Sequence, residues 1–320
     1  MKAIRIHAYG GPEVLQLDEV PIPDIASGEV LVRVHAAGVN FLDVYQRTGL
    51  YKAVLPFTPG MEGAGVIEKA GSETSSGTRV AWTQHPGAYA EFAAVPSWKV
   101  VALPDGVDDR SGAAALLQGM TAQYLCESTY PAKPGEAALV HAGAGGVGLL
   151  LIQLLKQKGA TVYTTVSTQE KADLAREAGA DETILYTQTD FVEAVKRFTD
   201  GKGVHVVYDS VGKATYEGSL NVLRPLGMLV LFGQSSGPVP PIDPLVLTQK
   251  GSLFLTRPSL AHYVADAGSF RERATKVLNW VAKGSLKLRI ERTYPLAELA
   301  QAHRDLEARK TTGKLVIEIA

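Results

Sequence analysis

The run His141-Ala142-Gly143-Ala144-Gly145-Gly146-Val147-Gly148 constrains this chain more than any other feature. Its glycines at 143, 145 and 148 follow a short apolar stretch at 138–141 and open a helical pattern at 147–158. A G-x-G-x-x-G spacing alone is weak evidence, but between a strand and a helix it has the context that its chemistry needs. Gly143 is expected to allow the tight turn, Gly145 to let the backbone approach a diphosphate, and Gly148 to let helix pack closely on strand. The helix start then offers N–H groups and the positive end of a dipole to an anion. A glycine-rich strand–helix turn with no ligand is the plainer alternative, and the units that follow speak against it.

Beyond the turn, apolar or β-branched runs at 161–166, 183–186, 204–209 and 228–232 alternate with helical patterns at 168–178, 190–199 and 214–223. Continuous apolar strands in strand–helix alternation predict an α/β fold, a doubly wound parallel sheet covered on both faces. Ser167 and Glu170 have capping-box spacing before the second helix, and Gly179 stands where that helix should stop. Residues 1–105 read differently, as short strands such as 30–34 and 65–67 punctuated by Gly and Pro, with a polar loop at 71–77. After Pro258 the pattern predicts a helix at 270–283 stopped by Gly284, a strand at 286–290, a helix at 296–309 and a strand at 314–319. A length of 320 residues accommodates two domains. The expected division is a nucleotide-type unit, 122–256, inserted into a β-rich domain made of 1–121 and 257–320.

Charge and composition exclude several classes. The 32 Lys+Arg and 33 Asp+Glu are interleaved and leave a net charge of −1, which gives no reason to expect nucleic acid or an anionic membrane as partner. No apolar stretch approaches the ~20 residues that span a bilayer, and Lys2, Arg5 and His7 lie in a strand-like pattern rather than before a leader sequence. A single cysteine, Cys126, excludes a disulfide framework and any cysteine-rich zinc site, and reads as an inert buried thiol. The seven histidines show no ligand spacing, and none is assigned to catalysis. The expectation is a soluble cytoplasmic protein.

The tip of the second strand bears on the nucleotide. About 20 residues past the glycines, an NAD site places an acid on the ribose 2′-hydroxyl. Here the strand ends Thr165-Val166-Ser167-Thr168, and Lys171 follows one helical turn later. A carboxylate would repel a 2′-phosphate, whereas a hydroxyl and an ammonium would hold it, so NADPH is expected over NADH. The alternative is that Ser167 caps the helix and Lys171 is a solvated charge; the roles are compatible.

At this point the residues resemble a known family. Gly135-Glu136-Ala137-Ala138-Leu139, the glycine run, Gln153 and Lys156 match the signature of the zinc-free quinone oxidoreductases, the ζ-crystallin-like branch of the medium-chain dehydrogenase/reductase superfamily. The likeness extends through Gly38–Asp43, Arg47–Tyr51, Val207–Gly212 and the segment from Gln249 to Ser259. It implies a Rossmann domain inserted in a GroES-like catalytic domain, with a cleft between them. It places Thr121, Tyr186, Phe232, Gly233 and Ser235 beside Ala144, Gly146 and Val147 on the nucleotide side, with Arg257 and Lys314 reaching in from the other domain. Zinc-dependent relatives carry a Cys where this chain has Asn40 and a His where it has Met61, so no metal is expected.

A quinone or conjugated carbonyl is already electrophilic, and its reduction needs positioning more than a Lewis acid. Asn40 is the first choice for a donor to the developing oxyanion, or else a turn residue. Asp43 either holds the nicotinamide ribose, orients Asn40 or caps the helix beginning near Phe41. Tyr45 and Tyr51 are suited to stack on an aromatic acceptor, or else simply pack. The leading expectation is an NADPH-dependent quinone reductase; an enone, alkenal or enoyl-thioester reductase is the first alternative and a non-catalytic nucleotide-bound protein the second. The apolar run at 251–256 reads as a sheet-edge strand, which predicts a homodimer.

Overall fold

The computed structural model describes residues 1–70 and 75–319. Most of the expected polar loop at 71–77 therefore lies outside the described residues. The chain divides into two compact units, Met1–Met120 with Val264–Ala320, and Thr121–Tyr263.

In chain order the elements begin with β1 (Lys2–Ile6), β2 (Leu15–Glu19), β3 (Glu29–Val39), α1 (Phe41–Arg47) and β4 (Glu62–Lys69). Next come β5 (Arg79–Thr83), β6 (Phe92–Pro96), β7 (Val100–Ala102) and α2 (Asp109–Tyr124). The second unit contributes β8 (Ala137–Val140), α3 (Gly146–Gln157), β9 (Thr161–Val166), α4 (Gln169–Glu177), β10 (Glu182–Leu185) and α5 (Phe191–Phe198). It continues with β11 (Val204–Asp209), α6 (Tyr216–Asn221), β12 (Leu223–Leu231), α7 (Leu245–Gln249), β13 (Phe254–Thr256) and α8 (Leu260–Tyr263). The chain then returns to the first unit through α9 (Ala267–Ala282), β14 (Ile290–Pro295), α10 (Leu299–Glu307) and β15 (Lys314–Glu318).

The first unit is built on a seven-stranded sheet in the order β14–β15–β3–β4–β5–β7, with β6 also paired to β3. Two registers decide its chemistry. β15 runs antiparallel to β3 with Leu315 opposite Val39, and β4 runs antiparallel to β3 with Ala37 opposite Gly63. Lys314, residues 38–40 and Glu62 are thereby brought to the same end of three adjacent strands. Beneath them lies a core that includes Ile4, Ile6, Val32, Val34, Trp82, Tyr89, Leu299 and Ile317.

The second unit holds a parallel six-stranded sheet in the order β10–β9–β8–β11–β12–β13. The order reverses beside β8, whose C-terminal end carries the glycine turn, as the doubly wound fold requires at a ligand-binding crevice. The expected strands at 161–166 and 204–209 appear with those bounds, and the other strands and helices of the alternation lie within a few residues of expectation.

Three local expectations are corrected. No strand forms at 286–289; the N–H groups of Ser285 and Leu286 bond back to Trp280 O as α9 ends, and the strand begins at Ile290. The apolar run at 251–256 is strand only from Phe254, because Gly251 N–H and Leu253 N–H close the turn after α7 on Thr248 O and Leu247 O. The cap of α4 is Thr168, not Ser167, and its hydroxyl accepts Lys171 N–H at 3.3 Å. Among the described residues, no helix is long and apolar enough to cross a membrane.

Glycine is required at position 65, where β4 crosses close to β3: a Cβ there would stand 1.9 Å from Arg33 O. Backbone, unlike a side-chain tip, cannot swing aside. Gly65→Ala should lower the unfolding free energy by about 1–3 kcal/mol, read as a lower urea midpoint at unchanged slope.

Candidate functional site

In the first unit the strand registers assemble a buried polar cluster. Lys314 Nζ donates to Glu62 Oε2 at 2.6 Å and to Asn40 Oδ1 at 2.7 Å. Asn40 Nδ2 donates to Glu62 Oε2 at 3.1 Å and to Gly38 O at 3.2 Å. The second carboxylate oxygen, Glu62 Oε1, accepts Leu117 N–H at 2.7 Å. Lys314 is 2 % exposed and Glu62 fully buried. Isolated burial of either charge would be prohibitive, so ammonium and carboxylate stand or fall together. Gly38 makes room for them, since a Cβ there would lie 2.6 Å from both Glu62 Oε2 and Lys314 Cε and 2.3 Å from Ala113 O.

Asp43 adjoins this cluster at the start of α1. Its Oδ2 accepts Asn40 N–H at 2.9 Å and the Tyr89 hydroxyl at 2.7 Å, and its Oδ1 accepts Met61 N–H at 3.2 Å. Burial, with a smaller push from the Glu62 carboxylate, raises the Asp43 carboxyl to about 6 against the opposing pull of the Tyr89 hydroxyl, Asn40 N–H and Lys314. The folded chain thus holds that proton more tightly than the unfolded chain. The corresponding stability is fully present below about pH 4 and is lost as pH rises through about 6. Burial and the Asp43 carboxylate push the Tyr89 hydroxyl well above the usual phenol range.

This geometry revises two expectations. Both amide hydrogens of Asn40 are already bonded, which leaves none for a substrate carbonyl; Asn40 instead links Gly38, Glu62 and Lys314. Asp43 is fully buried and accepts Asn40 N–H at the start of α1, which fits the helix-start role among those expected of it. Tyr45 and Tyr51 do lie together, ring edge to ring face at 5.4 Å, with Tyr51 41 % exposed. Lys314, expected on the nucleotide side, has its ammonium committed within this buried cluster.

In the second unit the glycine turn divides its tasks. The left-handed residue of the turn is Ala142 (φ 55°), not Gly143. Gly143 is demanded by packing, because its Cβ would lie 1.9 Å from Thr164 Oγ1. Gly148 is likewise closed, at 2.4 Å from Ala142 O, whereas a Cβ on Gly145 would meet only Ala142 O at 3.1 Å. Gly143 and Gly148 are therefore closed to any side chain, and Gly145 is the least crowded of the three, a Cβ there still being tight against the turn backbone. Gly145, the N-cap of α3, has no side chain to compete for the first-turn N–H groups of Gly146, Val147 and Gly148. N–H groups at a helix start fit an anionic diphosphate.

The strand tips around the turn carry the other expected nucleotide residues. Ser167 follows β9 and is spared from capping by Thr168. Tyr186 follows β10, is 44 % exposed, and bonds through its N–H to Val166 O at 3.1 Å. Phe232 and Gly233 follow β12 with their N–H groups on Asp209 O, and Ser235 N–H reaches Ser210 O. Arg257 follows β13 in this same unit, with Nη1 on Leu231 O at 2.9 Å, which differs from the place the resemblance implied. Thr121 is buried as the first residue of the unit. Cys126 is buried in a π-helical turn, Leu125–Thr129.

Comparison with known proteins places the chain among oxidoreductases. The alcohol dehydrogenase GroES-like domain family matches residues 26–105, and the zinc-binding dehydrogenase family matches residues 146–283. The chain is 45 % identical to a quinone oxidoreductase of Pseudomonas aeruginosa, with 99 % of each chain covered. It is 41 % identical to a 2-haloacrylate reductase of Burkholderia sp, with 98 % of each covered. The crystal structure of Escherichia coli quinone oxidoreductase complexed with NADPH superposes with a TM-score of 0.97 at 41 % identity, covering all of both chains.

Because Lys314 and Glu62 neutralise each other out of water, removing one alone should be far worse than removing both. Lys314→Met should cost about 3–5 kcal/mol of unfolding free energy, and adding Glu62→Gln should restore a large part of it, measured by urea denaturation of both variants.

Proposed function

The chain belongs to the quinone oxidoreductase family of the medium-chain dehydrogenases/reductases, and from that membership we propose metal-independent transfer of hydride from NADPH to a quinone. NADPH, when bound, supplies the hydride from its nicotinamide ring. The N–H groups of Gly146, Val147 and Gly148 hold its diphosphate, and Gly145, an N-cap without a side chain, lets it approach. The observation that carries the NADPH assignment is the tip of β9: Ser167 follows it with no acid there, the Ser167 hydroxyl is not spent on the helix cap, and Lys171 follows on α4. Those two side chains and the start of α4 hold the 2′-phosphate. Tyr186, exposed beside the same tip, offers a ring to the adenine.

The residue types on the substrate side fit an acceptor that needs no Lewis acid. Asn40 and Met61 stand where zinc-dependent relatives carry Cys and His, and Asn40 is tied to an ion pair that supplies its own positive charge. Hydride addition to a quinone gives a delocalised, aromatic product, so its charge requires less stabilisation than an alkoxide. Tyr45 and Tyr51 form an aromatic pair against which a flat acceptor stacks. The 2-haloacrylate reductase relative favours one second reading, an acceptor with a carbon–carbon double bond conjugated to a carboxylate.

The sheet edge points to self-association. β13 is the terminal strand, Phe254 on it is 54 % exposed and Leu226 nearby is 60 % exposed. Pairing of this edge with its copy about a two-fold axis would cover both, and we propose a homodimer. Light scattering at micromolar concentration should return twice the mass of the 34.1 kDa chain.

The function is tested by following NADPH oxidation with quinones, enones and 2-haloacrylate in parallel, with NADH alongside and with a chelator present. Quinones should give the highest kcat/KM, chelation should change nothing, and NADPH should bind at least about tenfold tighter than NADH, equivalent to ~1.4 kcal/mol. Ser167→Ala and Lys171→Ala should each narrow that ratio. Turnover of 2-haloacrylate alone would select the second reading.

A further inference from the structure

Directly behind the glycine turn lies a buried polar chain that the cofactor contacts above do not use. His141 is 1 % exposed, with Nδ1 2.9 Å from Thr165 Oγ1 and Nε2 3.0 Å from Ser219 Oγ. Ser219 in turn donates to Asp209 Oδ2 at 2.9 Å, and the Thr215 hydroxyl donates to the same oxygen at 2.7 Å. Asp209 Oδ1 accepts the N–H groups of Val211 and Gly212 at 2.8 and 2.9 Å. The Phe191 ring stands perpendicular to the imidazole at 4.9 Å and closes one side of the site.

The direction of every bond in this chain follows from proton counting. A hydroxyl has one hydrogen. That of Ser219 is committed to Asp209, so its oxygen accepts from the imidazole, and His141 carries its proton on Nε2. Burial holds the imidazole below its ordinary range, which keeps it neutral. Nδ1 is then bare and accepts the Thr165 hydroxyl proton. The Thr165 oxygen is left to accept Ala142 N–H, at 3.4 Å. The result is a one-way chain from the backbone of the glycine turn, through Thr165, His141 and Ser219, to Asp209.

Its members sit at the tips of the strands around the crevice. Thr165 is the penultimate residue of β9, two positions before Ser167, and its carbonyl also accepts Gly143 N–H at 3.1 Å. Asp209 ends β11 and fixes the loop at 210–212, against which Gly233 packs. The turn itself retains the Gly143–Thr165 backbone bond without His141, whereas the Thr165 side chain has no other acceptor for its proton among the described residues.

We propose that His141 is a positioning residue for cofactor selectivity, fixing the tip of β9 through the Thr165 hydroxyl so that Ser167 meets the 2′-phosphate. The proposal rests on the NADPH reading. Loss of the imidazole loosens the β9 tip and leaves the backbone bond that shapes the diphosphate turn, so discrimination between the two cofactors suffers more than binding as such.

The test is fluorescence titration with NADPH and with NADH of the native protein, His141→Leu, Thr165→Val and Thr165→Ser. His141→Leu and Thr165→Val should each reduce the NADPH:NADH affinity ratio about fivefold, with the larger change in NADPH affinity. Thr165→Ser keeps the hydroxyl and should keep most of the ratio. A purely structural role would weaken both cofactors by the same factor in both variants, and that result, or an unchanged ratio, overturns the proposal. Equal affinity of the native protein for the two cofactors overturns the NADPH reading first and this proposal with it. ¹⁵N resonances of His141 in the native protein provide a check that needs no variant: hydrogen on Nε2 and a bare Nδ1 are expected, and the opposite tautomer overturns the assignment.

Discussion

The hydrogen-bonded pair of Lys314 and Glu62 joins positions 252 residues apart, and the first unit depends on it. One residue comes from the last strand of the chain and the other from the fourth, with β3 between them. Burying both charges is worthwhile only with good geometry and with the remaining donors and acceptors satisfied. Asn40 and Leu117 N–H supply that satisfaction, and Gly38 supplies the space. A one-residue slip of β15 against β3 would turn Lys314 to the opposite face and strand Glu62. The pair therefore fixes strand register while it fixes the residues that follow β3, among them the N-terminus of α1 with Asp43, Tyr45 and, past the helix, Tyr51.

The second unit solves a different problem, how to present bare backbone to an anion on a rigid base. Gly143 and Gly148 are packed from behind by Thr164 and by the turn itself, and Gly145 is the least crowded of the three. The rigidity comes from polar groups as well as from apolar contact. The core of this sheet, including Leu139, Val195, Val207, Leu220 and Leu229, surrounds a set of side chains whose hydrogen bonds are all assigned a direction. A network in which each proton has one place to go specifies one arrangement, and preorganisation of that kind is what a binding site needs from the residues behind it.

How much of this was legible in the sequence follows from the range of the interactions. The parallel sheet was, because periodicity and glycine spacing are local signals: β9 and β11 have the expected bounds. The shift of the expected strand from 286–290 to Ile290–Pro295 shows the limit, since whether Leu286 joins a ladder depends on where its N–H bonds, and the end of α9 takes it. Thr168 displaces Ser167 as cap for a similar reason, a single extra extended residue after β9. The Lys314–Glu62–Asn40 cluster was not legible as a cluster. Its local trace is a lysine directly before the apolar run Leu315-Val316-Ile317, and Asn40 in isolation reads as a free donor. His141 has no ligand spacing to mark it; its signal in the sequence is its position directly before the glycine turn.

The central claim is that this chain moves hydride from NADPH to a quinone. The most direct measurement is a single turnover, mixing protein loaded with NADPH, or with NADPH deuterated at the transferring position of the nicotinamide, against excess quinone and following loss of nicotinamide absorbance. The account predicts quinone-dependent oxidation in one phase, slower for the deuterated cofactor. Oxidation that ignores the quinone, or that proceeds at the same rate with both isotopes under conditions where transfer limits the phase, would contradict it.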